Sequence, residues 1–459
     1  MDTGTDNSKK LLAEELERRF SRRGTLRARL RRAVQVLLWL GVVQTTALGK
    51  RAVDMAGAVL LGLLFLPVMI PLWAWCSMKG LGLARQTRLG RWAVPYQEWE
   101  LSIPKSGAGG VALMLHLNAV PALWNVLRGD MSLVGPRSVA PGGVSLAEQL
   151  VRRRHNVRPG LVCLWWIRRR ANIAYGSEAE ADAEYVDTQT VRGDLAIVLR
   201  ALPAMLYGEG IASASDEITI LDMRINNLTM DETLERLAEW TEGDMPRQLC
   251  FLNADCMNIA FRNARYRETI NGADLTVADG IGLKLAGKIL RRDIRQNVNG
   301  TDMFPRLCAM LDARGASVFL LGAKPGVADA VADWIRERHP ALRIAGTRNG
   351  YFTQDEEPEV VRQVAESGAQ LLLVAFGAPR QDLWLAENLP RLGVRAAMGV
   401  GGLFDFYSGR IPRAPLWMRE MGMEWVYRFI QEPRRMWRRY LVGNVVFLWR
   451  VLAQRVREG

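Results

Sequence analysis

Apolar and polar positions divide the chain into two differently patterned parts. Residues 1–32 are polar and basic and suit an amphipathic helix, and 33–49 (AVQVLLWLGVVQTTALG) are apolar. The second stretch is shorter than the about 20 residues that a bilayer span needs. From Met55 to Cys76 the chain is continuously apolar and long enough to enter a bilayer. This run contains Pro67 and Pro71, and proline lacks the N–H that a helix interior uses. Hydropathy therefore admits two readings, a straight transmembrane helix or a re-entrant helix that dips into one leaflet and returns.

Residues 208–216 (GEGIASASD) are small and polar and read as a linker. Beyond them short apolar runs alternate with helix-length segments. Strands are predicted at Ser317–Leu321, Leu342–Gly346, Leu371–Phe376 and Ala396–Val400, with helices at Val327–Arg338 and Glu357–Ser367 between them. Strands separated by helices of this length imply a parallel sheet with right-handed crossovers. Such sheets bind ligands at the carboxyl ends of their strands. The turns Gly322-Ala323-Lys324-Pro325-Gly326, Gly377-Ala378-Pro379-Arg380-Gln381 and Gly401-Gly402 all fall there.

Charge narrows the partners. The 459 residues carry a net charge of +13, which calls for a polyanion. Arginines cluster at Arg18, Arg19, Arg22, Arg23, Arg27, Arg29, Arg31 and Arg32, before one apolar segment, and at Arg434, Arg435, Arg438 and Arg439, before Val442–Leu452. Arginine beside apolar helices, with 15 Trp in the chain, favours a membrane interface. No nucleic-acid motif is visible. The five cysteines show no CxxC pairing, so neither zinc nor a disulfide framework is indicated, and a reducing cytoplasm suits them. The N-terminus lacks the pattern of a cleaved signal peptide.

Two groups of motifs resemble known families. NVLRGDMSLVGPR (125–137), preceded by Lys50-Arg51-Ala52-Val53-Asp54 and followed by Val157-Arg158-Pro159-Gly160 and by Arg170-Ala171-Asn172 through Glu184-Tyr185-Val186, resembles the bacterial sugar transferases. These are monotopic phosphoglycosyl transferases that join a sugar phosphate to a polyprenol phosphate. The resemblance covers about residues 50–207 and implies the re-entrant helix. Two departures stand out. The family's adjacent catalytic Asp and Glu fall on Asn118 and Ala119, and a carboxamide and a methyl group cannot replace a carboxylate nucleophile. The basic segment expected near the phosphates is WAVPYQEWELSIP (92–104), with Gln97, Glu98 and Glu100. Both departures imply an inactive module, with Asp130 a turn or capping residue.

Residues 217–440 resemble the WecG/TagA/CpsF glycosyltransferases, through FLNAD (251–255), ADLTVADGIG (273–282), NVNGTDMF (297–304), FLLGAKPG (319–326), NGYF (349–352), FGAPRQDLWL (376–385), GVGGLFDFYSG (399–409), RAPLWMREMGMEW (413–425) and EPRRMWRRY (432–440). That resemblance implies inverting transfer of a hexosamine-type sugar from a UDP donor to a polyprenyl-diphosphate-linked sugar, with no metal or other cofactor. It assigns Asp279 as the base; from the residues alone Asp279 could instead cap the helix Ile281–Leu290. It implies substrate contacts for Asn253, Arg380 and Gln381, and a nucleotide pocket shaped by Gly401, Gly402 and Asp405. Phe251 replaces a Thr common in the family, Arg380 could be a solvated loop cation, and Thr301-Asp302 could bind sugar or cap the helix at Met303–Asp312. Arg413, Arg428, Arg434 and Arg438 match an appendage that closes over the site, where they neutralise diphosphate or form a solvated basic face.

The expected α/β chain thus has five parts: a basic interfacial segment (1–49), a phosphoglycosyl-transferase-like α-rich module with a re-entrant helix (50–207), the linker (208–216), a Rossmann-like parallel-sheet glycosyltransferase domain with a helical appendage (217–440) and an apolar, basic helix (441–459). The expected activity is UDP-sugar transfer in exopolysaccharide or cell-surface glycan assembly, at the cytoplasmic face of the bacterial inner membrane. Two rivals remain open, residual phosphoglycosyl transfer and a non-catalytic scaffold that binds lipid intermediates. Homo-oligomerisation is also left open.

Overall fold

A computed structural model of the chain describes residues 22–104, 108–142, 149–171, 177–207 and 215–458. The expectations for residues 1–21, for Asn172 and for most of the 208–216 linker lie outside these. The first element, α1 (Arg22–Met78), is one continuous helix that passes through the expected boundary at residue 49 and through both prolines. Each proline removes one backbone hydrogen bond, and the chain keeps its helical path. Its part Leu48–Met78, 31 residues, is long and apolar enough to cross a membrane by length and composition. Side chains such as Leu60, Leu63, Leu64 and Ile70 are exposed along it.

The base of α1 is fastened to the N-terminal module by the Lys50-Arg51-x-x-Asp54 motif. The module contains the antiparallel hairpin β1 (Leu83–Leu89) and β2 (Pro95–Leu101), then α2 (Leu123–Arg128) and the parallel pair β3 (Ser132–Val134) and β4 (Gly160–Val162). Helices α3 (Leu164–Ala171), α4 (Glu178–Thr188) and α5 (Val191–Tyr207) follow, and two short helices, Ala108–Met114 and Gln149–Arg154, lie in its connections. Arg51 donates to the carbonyls of Val126 and Leu127 at 2.6 and 2.9 Å, at the end of α2 where carbonyls run out of intrahelical donors. Asp54 is buried and accepts from the Ser132 hydroxyl at 2.7 Å and the Leu133 N–H at 3.1 Å. Lys50 donates to Val134 O, Tyr185 Oη and Asp194 Oδ2 at 3.0, 2.9 and 2.5 Å. Asn125, fully buried, accepts from Trp99 N and donates to Gln97 O, which ties the signature to β2. Asp130 accepts from Asn125 Nδ2 within the turn.

The C-terminal part opens with the hairpin β5 (Glu217–Ile220) and β6 (Met223–Asn226) and continues with β7 (Arg247–Leu252), α6 (Ala254–Arg262), β8 (Leu275–Ala278), α7 (Ile281–Leu290) and α8 (Gly300–Ala313). Then β9 (Ser317–Gly322), α9 (Val327–Arg338), β10 (Arg343–Arg348), α10 (Glu357–Glu366), β11 (Leu371–Ala375), α11 (Arg380–Asn388) and β12 (Ala396–Gly399) alternate. The six strands β7–β12 pair in parallel in the order β10-β9-β11-β12-β7-β8. Successive side chains leave a strand on opposite faces. Leu249, Phe251, Val318, Leu320, Leu371 and Leu373 pack in one core, whereas Cys250 and Leu252 pack in a second, and Phe319, Leu321, Leu372 and Val374 in a third. Both faces are therefore buried, which is why the strands read as unbroken apolar runs.

The appendage comprises α12 (Leu403–Tyr407), α13 (Leu416–Glu420), α14 (Glu424–Gln431), α15 (Pro433–Trp437), a π-helical turn (Arg438–Val442) and α16 (Gly443–Glu458). Residue 441 is not a packing boundary. Phe447 and Val451 of α16 are 1% and 0% exposed, inside the same core as Leu252 and Leu283. Asn258 donates to Gly443 O at 2.8 Å, and Gln454 accepts from Leu221 N at 2.9 Å. The opposite face of α16 exposes Val445, Trp449, Leu452 and Val456.

The Lys50 cluster yields one prediction. Burial raises the Asp194 carboxyl above its usual range, and Lys50 opposes that shift. Lys50→Met would leave a buried acid without its cation and cost about 3 kcal/mol, read as a lower midpoint of thermal unfolding in detergent.

Candidate functional site

A cavity of about 750 Å³ opens at the carboxyl ends of the central strands. Its floor is Asn253 after β7, Asp279 after β8, Ala323 and Lys324 after β9, Phe376 to Ala378 after β11, and Val400 to Gly402 after β12. The appendage walls it with Arg428, Glu432, Arg435 and Arg439.

Asp279 sits one residue beyond β8, and its N–H donates to Leu252 O at 2.6 Å. The carboxyl thus stands at a strand end whose backbone is held by the neighbouring strand. Asp279 does not cap α7; Gly280 does, at φ 92° and with no side-chain bond. Burial pushes the Asp279 carboxyl up to about 7; Arg439 opposes this, Glu424 and Asp302 add to it, and a hydrogen bond from Asn253 opposes it. A carboxyl of that strength changes charge near neutral pH. Asn253 caps α6, its Oδ1 accepting from the N–H groups of Asp255 and Cys256, each at 3.1 Å. Its oxygen is thus engaged by the helix end, and its side chain is near enough to hold the Asp279 carboxyl down. Phe251 lies in the same wall, its ring 3.6 Å from where a Cβ on Gly300 would stand.

Gln381 acts as a brace. Its Oε1 accepts from Gly377 N and Gly401 N, both at 3.0 Å, joining the turns after β11 and β12. A Cβ on Gly399 would stand 2.5 Å from Gln381 Nε2, so glycine there makes room for the brace. At Gly402 a Cβ would stand 2.6 Å from an Arg428 nitrogen; the missing side chain admits that guanidinium. Arg380 lies over the rings of Phe376 and Phe352, 4.8 and 5.2 Å from their centroids. Asp405 pairs with Arg410 at 2.5 Å. Asp382 points the other way, buried and accepting from Tyr266 Oη at 3.0 Å, with burial raising it to about 7.

Other expected contacts fall outside the wall. Thr301 lines the cavity, but Asp302 is held by Arg413 at 2.6 Å and by Asn299, which caps α8 in place of either residue. Arg413 also reaches Glu424 at 3.2 Å. Arg434 and Arg438 are absent from the wall, and Arg435 and Arg439 stand there instead. Both pairs have a spacing of four, so helical periodicity alone could not choose between them. Arg439 pairs with Asp255 at 3.2 Å, Arg435 with Glu432 at 3.3 Å. Lys324, Arg380 and Arg428 line the cavity without a carboxylate partner among the described residues, and Arg428 Nε is buried with no hydrogen bond. Anionic oxygen would satisfy these donors. Among the described residues, no group of three or more His, Cys, Asp or Glu could hold a metal ion.

The position expected of the other transferase's catalytic pair is closed on itself. Asn118 Nδ2 donates to Glu100 Oε1 at 2.7 Å, and Asn118 Oδ1 is buried without a partner. Glu98 accepts from the Ser138 hydroxyl at 2.6 Å, and Gln97 donates to Thr87 at 3.0 Å.

Comparison with known proteins agrees with this division. Residues 107–208 match the bacterial sugar transferase family, and residues 218–459 match the glycosyl transferase WecG/TagA/CpsF family. An N-acetylglucosaminyldiphosphoundecaprenol N-acetyl-beta-D-mannosaminyltransferase of Bacillus spizizenii is 31% identical over 182 residues, 40% of this chain and 70% of the relative. The protein of the same description from Bacillus subtilis is 29% identical over 190 residues, 41% of this chain and 73% of the relative. With its strand-end cavity inside the longer of the two matches, the chain belongs to the WecG/TagA/CpsF family of glycosyltransferases and carries a bacterial sugar transferase domain ahead of it.

Proposed function

We propose that the cavity transfers a hexosamine-type sugar from a UDP donor, with inversion, to a sugar carried on polyprenyl diphosphate. The observation that carries this reading is the placement of Asp279 on a cavity floor whose wall presents Lys324, Arg380 and Arg428 without anionic partners. Asp279 takes the proton of the acceptor hydroxyl as its oxygen bonds to the anomeric carbon. The bond from that carbon to the phosphate oxygen breaks, and UDP leaves with the electron pair, held by the cations. The mannosaminyltransferase description of both Bacillus relatives supports a lipid-diphosphate acceptor of this class.

The N-terminal module, on this reading, is catalytically inactive and keeps the enzyme at the cytoplasmic face of the inner membrane, in exopolysaccharide or related glycan assembly. The Lys50-Arg51-x-x-Asp54 clamp and the exposed apolar length of α1 support insertion at this point. The re-entrant course rests on that motif's resemblance, since α1 runs on through both prolines.

Asp279→Asn should lower UDP release with donor and lipid acceptor by about 100-fold or more, and turnover at the wild-type rate would overturn the assignment. Because the base must be unprotonated, kcat/KM should fall about tenfold per pH unit below an apparent value near 7 and level off above it. A profile flat from pH 5 to 8 would remove Asp279 from that role. The double variant Asn118→Asp, Ala119→Glu should release no UMP from UDP-sugar and polyprenol phosphate, because Glu100 already lies 2.7 Å from the Asn118 amide and would repel a new carboxylate.

A further inference from the structure

The segment that walls the cavity is fixed at two places. On its inner side Arg413 joins Asp302 of α8 to Glu424 of α14. On its outer side Glu420, the last residue of α13, is 0% exposed and spans the two domains. Its Oε1 accepts from Arg168 Nε of α3 at 2.9 Å, and its Oε2 from Arg200 Nη1 of α5 at 2.8 Å. Arg168 is itself fixed by a two-pronged contact to Glu184, both bonds 2.7 Å. A carboxylate buried this completely is stable only with its charges paired, and removing one partner leaves an uncompensated charge.

The place of Glu420 in the chain gives the contact its meaning. Glu424, whose charge bears on Asp279, opens the next helix after the turn at Gly422, and Arg428, packed in the space above Gly402, lies one turn along that helix. The residues that bind Glu420 belong entirely to the module whose own catalytic positions are Asn118 and Ala119. We propose that Glu420 is a positioning residue, through which the sugar-transferase-like module braces the arginine-bearing wall of the glycosyltransferase cavity. The module then serves as an internal buttress for the active site as well as an attachment to the membrane. This rests on the cavity being the transferase site.

The test uses the full-length chain in phospholipid nanodiscs, with hydrogen exchange over residues 416–440 and steady-state UDP release. Glu420→Gln should speed exchange in 416–440 while β7 and β9 stay protected. The KM for the nucleotide sugar should rise about tenfold, with kcat held within about twofold, since an interaction equal in ground and transition states acts on KM. Glu420→Asp, which keeps the charge, should recover part of the KM. A contact that only glues the domains would instead lower kcat through loss of folded enzyme and leave KM alone; that result overturns the proposal, as does unchanged exchange in 416–440. Should Glu420→Gln exchange rapidly throughout, Arg200→Gln decides, because it keeps the Arg168 bond: faster exchange confined to 416–440 supports the brace, and an unchanged wall refutes it. A wild-type chain without any UDP release would sink the transferase reading, whereas the exchange pattern would still score the contact.

Discussion

Burial of both faces of the six-stranded sheet is the constraint from which the site follows. A parallel strand must return by a crossover, so every strand ends on the same side. Asn253, Asp279, Lys324, Gly377 and Gly401 come from widely separated parts of the chain and meet because each follows such a strand. The bond from Asp279 N to Leu252 O shows how closely this couples to chemistry. The Asp279 carboxyl is held by the strand pairing that builds the core.

Charge inside the cavity is arranged unevenly. Asp255, Asp405 and Glu432 neutralise Arg439, Arg410 and Arg435, which keeps these long side chains in place. Lys324, Arg380 and Arg428 have no carboxylate partner among the described residues. Burial holds Asp279 near neutrality, and Arg439 limits the rise. The same arginine therefore both tempers the Asp279 carboxyl and lines the cavity.

In the N-terminal module, the surviving motif residues bear on folding. Lys50, Arg51, Asp54 and Asn125 satisfy buried carbonyls, hydroxyls and N–H groups between α1, α2, β2 and β3. Losing one would strand a buried polar group. The catalytic pair has no such duty, and Asn118 with Glu100 forms an internal contact in its place. The residues that hold this fold together are therefore different from those at the catalytic-pair positions.

Much of the C-terminal fold was legible in sequence. The helices Val327–Arg338 and Ile281–Leu290 have the bounds expected, and the predicted strands differ from β9–β12 by one or two residues at their ends. The reason is local: apolar runs, glycine turns and helix starts are set by near neighbours. Asp279 was legible too, as the acid at a strand end beside Gly280. The sequence did not distinguish Arg435 and Arg439 from Arg434 and Arg438, because four residues separate both pairs and only packing decides which face meets the cavity. Nor could it show that Gln381 braces two turns, that Asp302 is consumed by Arg413, or that α16 is part of the core. Sequence by itself determined the strand order along the chain, the acid at the strand end and the missing carboxylates at 118 and 119. Tertiary structure decided which charges are already paired and which are not, since pairing depends on distances between residues as far apart as Arg168 and Glu420.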